Sequence, residues 1–484
     1  MPARPSFAPL AIATTLLLPA CAPAEDDGPA SDTEPDTAES SGGVPGGGGP
    51  VTPERIAAGG DCPAPTGVGT DHGGDVTADE TWAAADGPHR ITSNLRVLAT
   101  VTIEPCVHVV VDDGVTIEVG SSSAPGTLVA RGEATDDEVL PILFEAAQAD
   151  APWGRMWVWP MGVLDLSVAG IVDGGAAQSD ELGALVVQGV ATGTNGGAVT
   201  ASTTLDRVLI SGSRSHGLNL DGWGALTDAS TQVWIRDGGG DAAPSAVRIE
   251  PGVGDSLPAE LEISGNVRDE ILVRTSKAFM RDDTWADHGV PYRQLGVLYL
   301  NPGEFAATAT LTIEPGVTVA FDESAGSGII VGSSDTRQGI LVADGTPEAP
   351  ILFTSAQDAP AAGDWMGVVF SYVPLSGSHI GHARIEYAGG ESGHNGFGCG
   401  PADNDAAIIV HGQTPDDGPP AEVVRDTEFA DIAGDTVVVS GWSGMDGPNL
   451  SEGNTFGPGT PSCKVSQPKT DTGACDGTPP LCWP

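Results

Sequence analysis

The sequence predicts an all-β protein, a right-handed parallel β-helix built from two related modules. Three observations predict it. First, the apolar triplets Val317-Thr318-Val319, Ile329-Ile330-Val331, Ile340-Leu341-Val342 and Ile351-Leu352-Phe353 recur about every 11 residues, separated by Gly, Asp, Ser or Pro. Second, the chain repeats itself. Asp79-Glu80-Thr81-Trp82 and Pro88-His89-Arg90 return as Asp282-Asp283-Thr284-Trp285 and Pro291-Tyr292-Arg293. Val101-Thr102-Ile103-Glu104-Pro105 returns as Leu311-Thr312-Ile313-Glu314-Pro315, and Pro141-Ile142-Leu143-Phe144 as Pro350-Ile351-Leu352-Phe353. A common order at a shift of about 210 residues marks a duplicated module. Third, helical spacing of apolar residues is lacking, so parallel connections must be short turns. Strands this short cannot bury their faces alone, whereas stacked rungs can. Two triplet spacings, about 22 residues, are read as one coil. An antiparallel sandwich or propeller is the runner-up, disfavoured because hairpin dipeptides are scarce.

The elements follow in order. Residues 1–20 read as a lipoprotein signal peptide: Arg4 precedes the apolar run Leu10 to Leu18, and Leu18-Pro19-Ala20-Cys21 resembles a bacterial lipobox with Cys21 as the lipidated residue. Residues 21–74 read as a disordered tether, because Glu25, Asp26, Asp27, Asp32 and Glu34 lie among Pro, Ser, Thr and Gly with little to bury. Residues 75–280 form module 1, residues 281–460 module 2, and residues 461–484 a cysteine-containing tail. The stretch Leu272 to Leu300 keeps its apolar triplets, so one continuous solenoid is expected, as a monomer.

With Cys21 lipidated, six cysteines remain for an oxidising compartment. Proximity favours Cys62–Cys106, Cys399–Cys463 and Cys475–Cys482, with the last pair of little consequence because its loop is short. A zinc site among the last four is the rival, but the spacings are irregular and CxxC does not occur.

Charge narrows the partners. Lys+Arg number 20 against Asp+Glu 66, a formal charge of −46, which excludes nucleic acid and direct adsorption to anionic lipid. Membrane contact is expected through the N-terminal lipid only. Export to the cell envelope, at the outer membrane or cell surface, follows from the lipobox, with a polysaccharide or another surface protein as ligand. Loosely held Ca²⁺ suits such an acidic surface, and no dedicated cofactor or metal site is expected.

The run Thr312 to Phe321, then Gly339 to Ala343, Ala349 to Ser355, Asp364-Trp365-Met366-Gly367 and Ala383 to Gly389, resembles the right-handed parallel β-helix proteins of many bacterial surfaces, which share the pectin-lyase-like fold. The resemblance covers nearly all of module 2 and, more weakly, module 1, where Cys106 replaces the Gly. It implies the fold and says little of activity.

Enzymes of that fold that cleave acidic polysaccharides work with clustered carboxylates, Ca²⁺ and a basic residue. The acidic pairs here are Asp112-Asp113, Asp136-Asp137, Asp282-Asp283 and Asp416-Asp417. Neighbours on a strand face opposite ways, so each pair lends at most one carboxylate to a face, and polar turn tips explain them better. His379, His382, His394 and His411 fall in one stretch with Glu386, yet a decorated loop explains them better than a metal site. No catalytic residue is assigned. Trp82, Trp153, Trp285 and Trp365 recur with the modules and read as core or cap packing. Trp157 and Trp159 share one face of a strand and are the candidates for stacking on sugar rings. A non-catalytic, glycan-binding surface protein is the first expectation, and a polysaccharide lyase or glycoside hydrolase the alternative.

Overall fold

The computed structural model describes residues 50–483 apart from 177–181, 193–196, 276–278, 280, 303–307, 323–325, 334–336, 372–373, 393–404, 413–422, 444–447, 468 and 471–480. Cys21, the signal and tether up to residue 49, Asp416-Asp417, His394, Cys399, Cys475 and the side chain of His411 fall outside the described residues.

The body is a right-handed parallel β-helix. A 24-stranded sheet runs from Thr70–Val76 to Thr455–Phe456, and in module 2 sheets of 5 and 8 strands complete three-sided coils. The strands Asp283–Trp285, Tyr292–Leu295 and Val297–Leu300 make one such coil. Successive partners Thr284, Thr312, Val342 and His379 put coils at 28, 30 and 37 residues. Coils nearer the expected 22 occur at the first rungs, with Trp82 against Ile103, and at the module boundary, with Ile271 against Tyr292. The difference is the third side: a short polar strand such as Asp283–Trp285 carries too few apolar residues to register as a triplet.

Inward side chains stack rung on rung. Val97, Val119, Val158, Val187, Leu220, Ile249 and Val273 form one column of fully buried aliphatic residues. The column crosses the module boundary, because Val273 pairs with Gln294 and Ile271 with Tyr292. Gln294 is also fully buried, its Nε2 donating to the carbonyls of Gly296 (2.9 Å) and Gly328 (2.7 Å). A single apolar core runs from Val76 to Val465, so the two modules share one solenoid.

The duplication is visible in side-chain chemistry. Trp153 Nε1 donates to the carbonyl of Val172 and Trp365 Nε1 to that of Glu386, both at 2.8 Å. Trp82 donates to Glu80 and Trp285 to Asp283, both at 3.1 Å, and each indole stacks on the aromatic residue of the following strand, His89 or Tyr292. Where module 2 turns a corner at Gly316 with φ +88°, module 1 has Cys106 with φ +65°. A side chain in that left-handed region is strained, and the Cys62–Cys106 bridge holds it there.

Two expectations about the chain ends are corrected. Residues 21–74 were expected to be tether throughout, yet Pro53–Ala57 is a short helix capped by Thr52 and Thr70–Val76 is the first strand. Ile56 of that helix is fully buried on the outer face of the solenoid against Leu143, Leu209 and Trp234, and Glu54 pairs with Arg236 at 2.6 Å. The apolar surface of Val51 and Ile56 is what the acidic stretch before them lacks. At the other end, Cys463 pairs with Cys482, not with Cys399, and Cys475–Cys482 is ruled out with it. The tail doubles back: Leu481–Trp483 lies antiparallel on Cys463–Gln467, which brings the Cα atoms to 5.5 Å.

The acidic pair Asp282-Asp283 is also not a turn tip throughout. Asp282 is exposed, but Asp283 is 2 % exposed and accepts from the backbone N–H groups of Gly252 (3.0 Å) and Asp255 (2.9 Å) and from Trp285 Nε1. It ties the last turn of module 1 to the first strand of module 2. Burial is the main cause pushing its carboxyl up to about 6, against the lowering effect of those N–H donors. The folded state therefore binds this proton more tightly than the unfolded chain. Its contribution is fully present below about pH 4 and is lost as pH rises to about 6, an effect of up to ~3 kcal/mol. Melting temperatures compared at pH 4 and pH 7 should fall more for the wild type than for Asp283→Asn; equal slopes would show that Asp283 does not titrate there.

Candidate functional site

Register fixes one outward row along the large sheet. It runs from Glu118 through Trp157, Val186, Asn219, Arg248, Leu272 and Arg293 to Ala320 and Thr354. Val186, Asn219, Arg248 and Leu272 are buried, so the row is accessible in two separate places, one in each module.

The place in module 2 is a cluster of charged groups at the module boundary. Leu272 and Arg293 are register partners, which sets the guanidinium of Arg293 over the last strand of module 1. Arg293 Nε donates to Asp322 Oδ2 at 3.1 Å, and its Nη1 lies 3.7 Å from Glu270 Oε2. Glu270 is 8 % exposed, accepts from Ser245 Oγ at 2.6 Å and lies 4.0 Å from Arg268. Burial raises the Glu270 pKa, Ser245 and Arg268 pull it back, and the charge of Asp322 raises it further. A cavity of about 470 Å³ opens here, lined by Arg268, Arg293, Gln357, Asp358 and Asp364. Asp364 is held by Ser355 Oγ (2.6 Å) and the Ala361 N–H (3.0 Å).

A second cavity of about 490 Å³ lies farther along the same face, lined among others by His382, Arg384, Thr427, Glu428 and Thr455. Arg384 donates to Glu386 at 2.8 Å and lies 3.6 Å from Glu428. The Arg293 row continues through Ala320 and Thr354, whose hydroxyl donates to Glu386 at 3.0 Å, whereas Arg384, Glu428 and Thr455 lie on the neighbouring row through Leu352. Arg293 and Glu386 are therefore about three strand spacings apart, roughly 14 Å. Each arginine is matched by carboxylates, so the walls offer donors and acceptors together without an excess of positive charge.

None of the groups in the first cluster stands out in the sequence as a site. Glu270 and Arg293 come from two strands and Asp322 from the residue just after a third, Thr318–Phe321, and they meet only through register. The one available signal was Arg293 itself, in the repeated Pro-aromatic-Arg or Pro-His-Arg motif. Of the histidines, His379 faces Asp344 at 3.2 Å, while His382 occupies a left-handed corner at φ +43°. Among the described residues no group of three or more His, Cys, Asp or Glu could hold a metal ion.

Trp157 and Trp159 do share a face, but they stack on each other, with centroids 4.8 Å apart and planes within 1°. Each of the two rings thus covers one face of the other. The Arg155 guanidinium also lies over the Trp157 ring, 5.4 Å from its centroid. Trp153, Trp285 and Trp365 are fully buried or nearly so, as is Trp82 at 2 %.

Residues 292–378 match the family model of a pectate-lyase-like β-helix domain. The match begins one residue before Arg293 and includes Asp322 and Asp364, while Arg268 and Glu270 precede it. No curated protein and no solved structure matches the chain.

Proposed function

We propose that this chain is a lipid-anchored cell-surface β-helix protein that binds a linear, hydroxyl-rich glycan along the outward face of module 2 without cleaving it. The observation that carries this reading is the pair of polar cavities on one face of module 2, with the small side chains of Ala320 and Thr354 between them. Closely paired Arg and carboxylate groups match hydroxyls, which donate and accept at once. The lipobox at Cys21 supplies the anchor, and export to the outer membrane or cell surface follows from it. The acidic surface argues against nucleic acid and for a soluble monomer that holds Ca²⁺ loosely at most.

Glu270 favours a second function. A buried carboxyl with a raised pKa beside further carboxylates is what a glycoside hydrolase uses as its general acid. The two functions separate in one screen of the purified full chain against neutral and acidic polysaccharides, with and without Ca²⁺. Binding is expected without depolymerisation, and Arg293→Ala should weaken it roughly tenfold, the loss expected for a charged hydrogen bond. Release of reducing ends that disappears in Glu270→Gln would establish the hydrolase instead.

A further inference from the structure

The solenoid begins on a weakly anchored strand. Of the first rung, Thr70–Val76, only His72 and Val76 are even partly buried. Its register on His89–Val97 breaks between His72 and Gly74, so Thr70–His72 lies on His89–Ile91 and Gly74–Val76 on Leu95–Val97. Gly74, at the break, has φ +75° and open space where a Cβ would stand. The first half of the strand is therefore a flap. Thr70 fastens it through its N–H to the Pro88 carbonyl (3.0 Å) and its hydroxyl to the Asp86 carbonyl (3.2 Å). His72 supplies its one partly buried side chain.

That side chain is held by a second histidine. His72 Nε2 lies 2.9 Å from His89 Nδ1, and His89 Nε2 lies 3.0 Å from the carbonyl oxygen of Ala83. A carbonyl only accepts, so His89 carries its proton on Nε2, and His72 Nε2–H donates to the bare Nδ1. His89 is 2 % exposed, and His72 and His89 both stack on Trp82, with centroids at 4.0 and 5.3 Å. Module 2 fills the same two places with residues that take up no proton. Tyr292 stands for His89, its hydroxyl donating to the Ala286 carbonyl at 3.0 Å, and Val273 of the preceding rung stands for His72.

We propose that His72 and His89 form an acid-sensitive latch: when both rings are protonated, the flap Thr70–His72 swings out about Gly73-Gly74 and uncovers Trp82 and the sheet edge at His89–Ile91. One proton is tolerated, because His72 can take it on Nδ1, 4.0 Å from Glu80 Oε2, and still donate to His89. A second, on His89 Nδ1, sets donor against donor, with two positive rings 5.2 Å apart. Burial and the neighbouring His89 lower the His72 pKa, against the pull of Glu80 and Asp71. Asp75, Asp86 and Arg90, the other charged residues on these segments, are exposed. The latch therefore contributes stability above about pH 6.5, the value for a free imidazole, and loses it as pH falls. The Cys62–Cys106 bond holds the chain ahead of the flap, so the flap opens as a loop fastened at both ends. This device is independent of the glycan reading given above.

Amide hydrogen exchange of the full chain, corrected for the intrinsic rate, tests it at about pH 7.5 and about pH 5, either side of the free imidazole value. Protection across Thr70–His72 is expected to fall roughly tenfold or more at the lower pH, the equivalent of one pKa unit. Leu98, whose N–H donates to the Val76 carbonyl beyond the hinge, should keep its protection. The double variant His72→Val/His89→Tyr installs the module 2 pair and should stay protected at both pH values, with its melting temperature certifying the fold. His72→Gln keeps a donor toward His89 and takes up no proton, so it should lose protection less steeply than the wild type. Equal wild-type protection at the two pH values would overturn the latch. The same acid loss in both variants would also overturn it, assigning the effect to the carboxylates. A loss shared equally by Leu98 would overturn it as general unfolding.

Discussion

Replacing Trp285 by alanine is expected to cost about 3–5 kcal/mol, the range for truncating a large buried aromatic residue. Three losses combine at this position. The fully buried indole leaves a cavity against Gly254, where a Cβ would come within 2.8 Å of the ring. Tyr292 loses the partner stacked on it at 4.9 Å. Asp283, buried beside it, loses one of its three N–H donors. Trp285→Phe keeps most of the packing and removes only the N–H, so it should cost about 1–2 kcal/mol. Denaturant unfolding measures the totals, and amide exchange locates them: protection should fall first in Gly252–Ser256 and Asp283–Trp285. Unchanged exchange there, with loss elsewhere, would show that the indole does not hold the modules together.

Breaking the Cys62–Cys106 bridge is expected to cost about 4 kcal/mol, since it closes a loop of 44 residues, and the Cys463–Cys482 bridge about 3 kcal/mol for a loop of 19, both in the chain-entropy model. Cys482→Ser should therefore lower the melting temperature, contrary to what a Cys475–Cys482 pairing would give. The amino-terminal bridge carries a finer test. Cys106 sits at φ +65°, where module 2 has glycine. In a Cys62→Ser background, Cys106→Gly should be more stable than Cys106→Ser by about 1 kcal/mol, because glycine alone is unstrained there. If the two melt together, the corner has relaxed once the bridge is gone.

What could be read in advance was set by how locally it was encoded. Apolar triplets and the repeated Trp motifs are local, and they gave the β-helix and the duplication directly. The number of strands per coil was harder, because Asp283–Trp285 is three residues long and begins with an acid. Its alternation held a usable signal: Asp283 has the same parity as the buried Trp285, so it had to point inward while Asp282 pointed out. The tail disulfide depended on a strand folding back antiparallel, which no pattern before Leu481 announces. The cluster of Glu270, Arg293 and Asp322 depended on register across three strands. Trp157 and Trp159 were placed on one face by the period of two, but that period says nothing of ring planes.

The helix Pro53–Ala57 meets the solenoid on its flank, over Leu143, Leu209 and Trp234, and the chain then runs to Cys62 and its bond with Cys106. Any pull through the chain preceding Val51 therefore enters sideways, several rungs in from the first strand. A rod of stacked strands loaded at its terminal rung opens one strand at a time, each step needing little force. Loaded at the flank, the same rod must slide the helix across several rungs together, and behind the helix waits a covalent bond. The first rung, Thr70–Val76, carries none of that tension, so the open end of the core stays closed while the protein is being dragged.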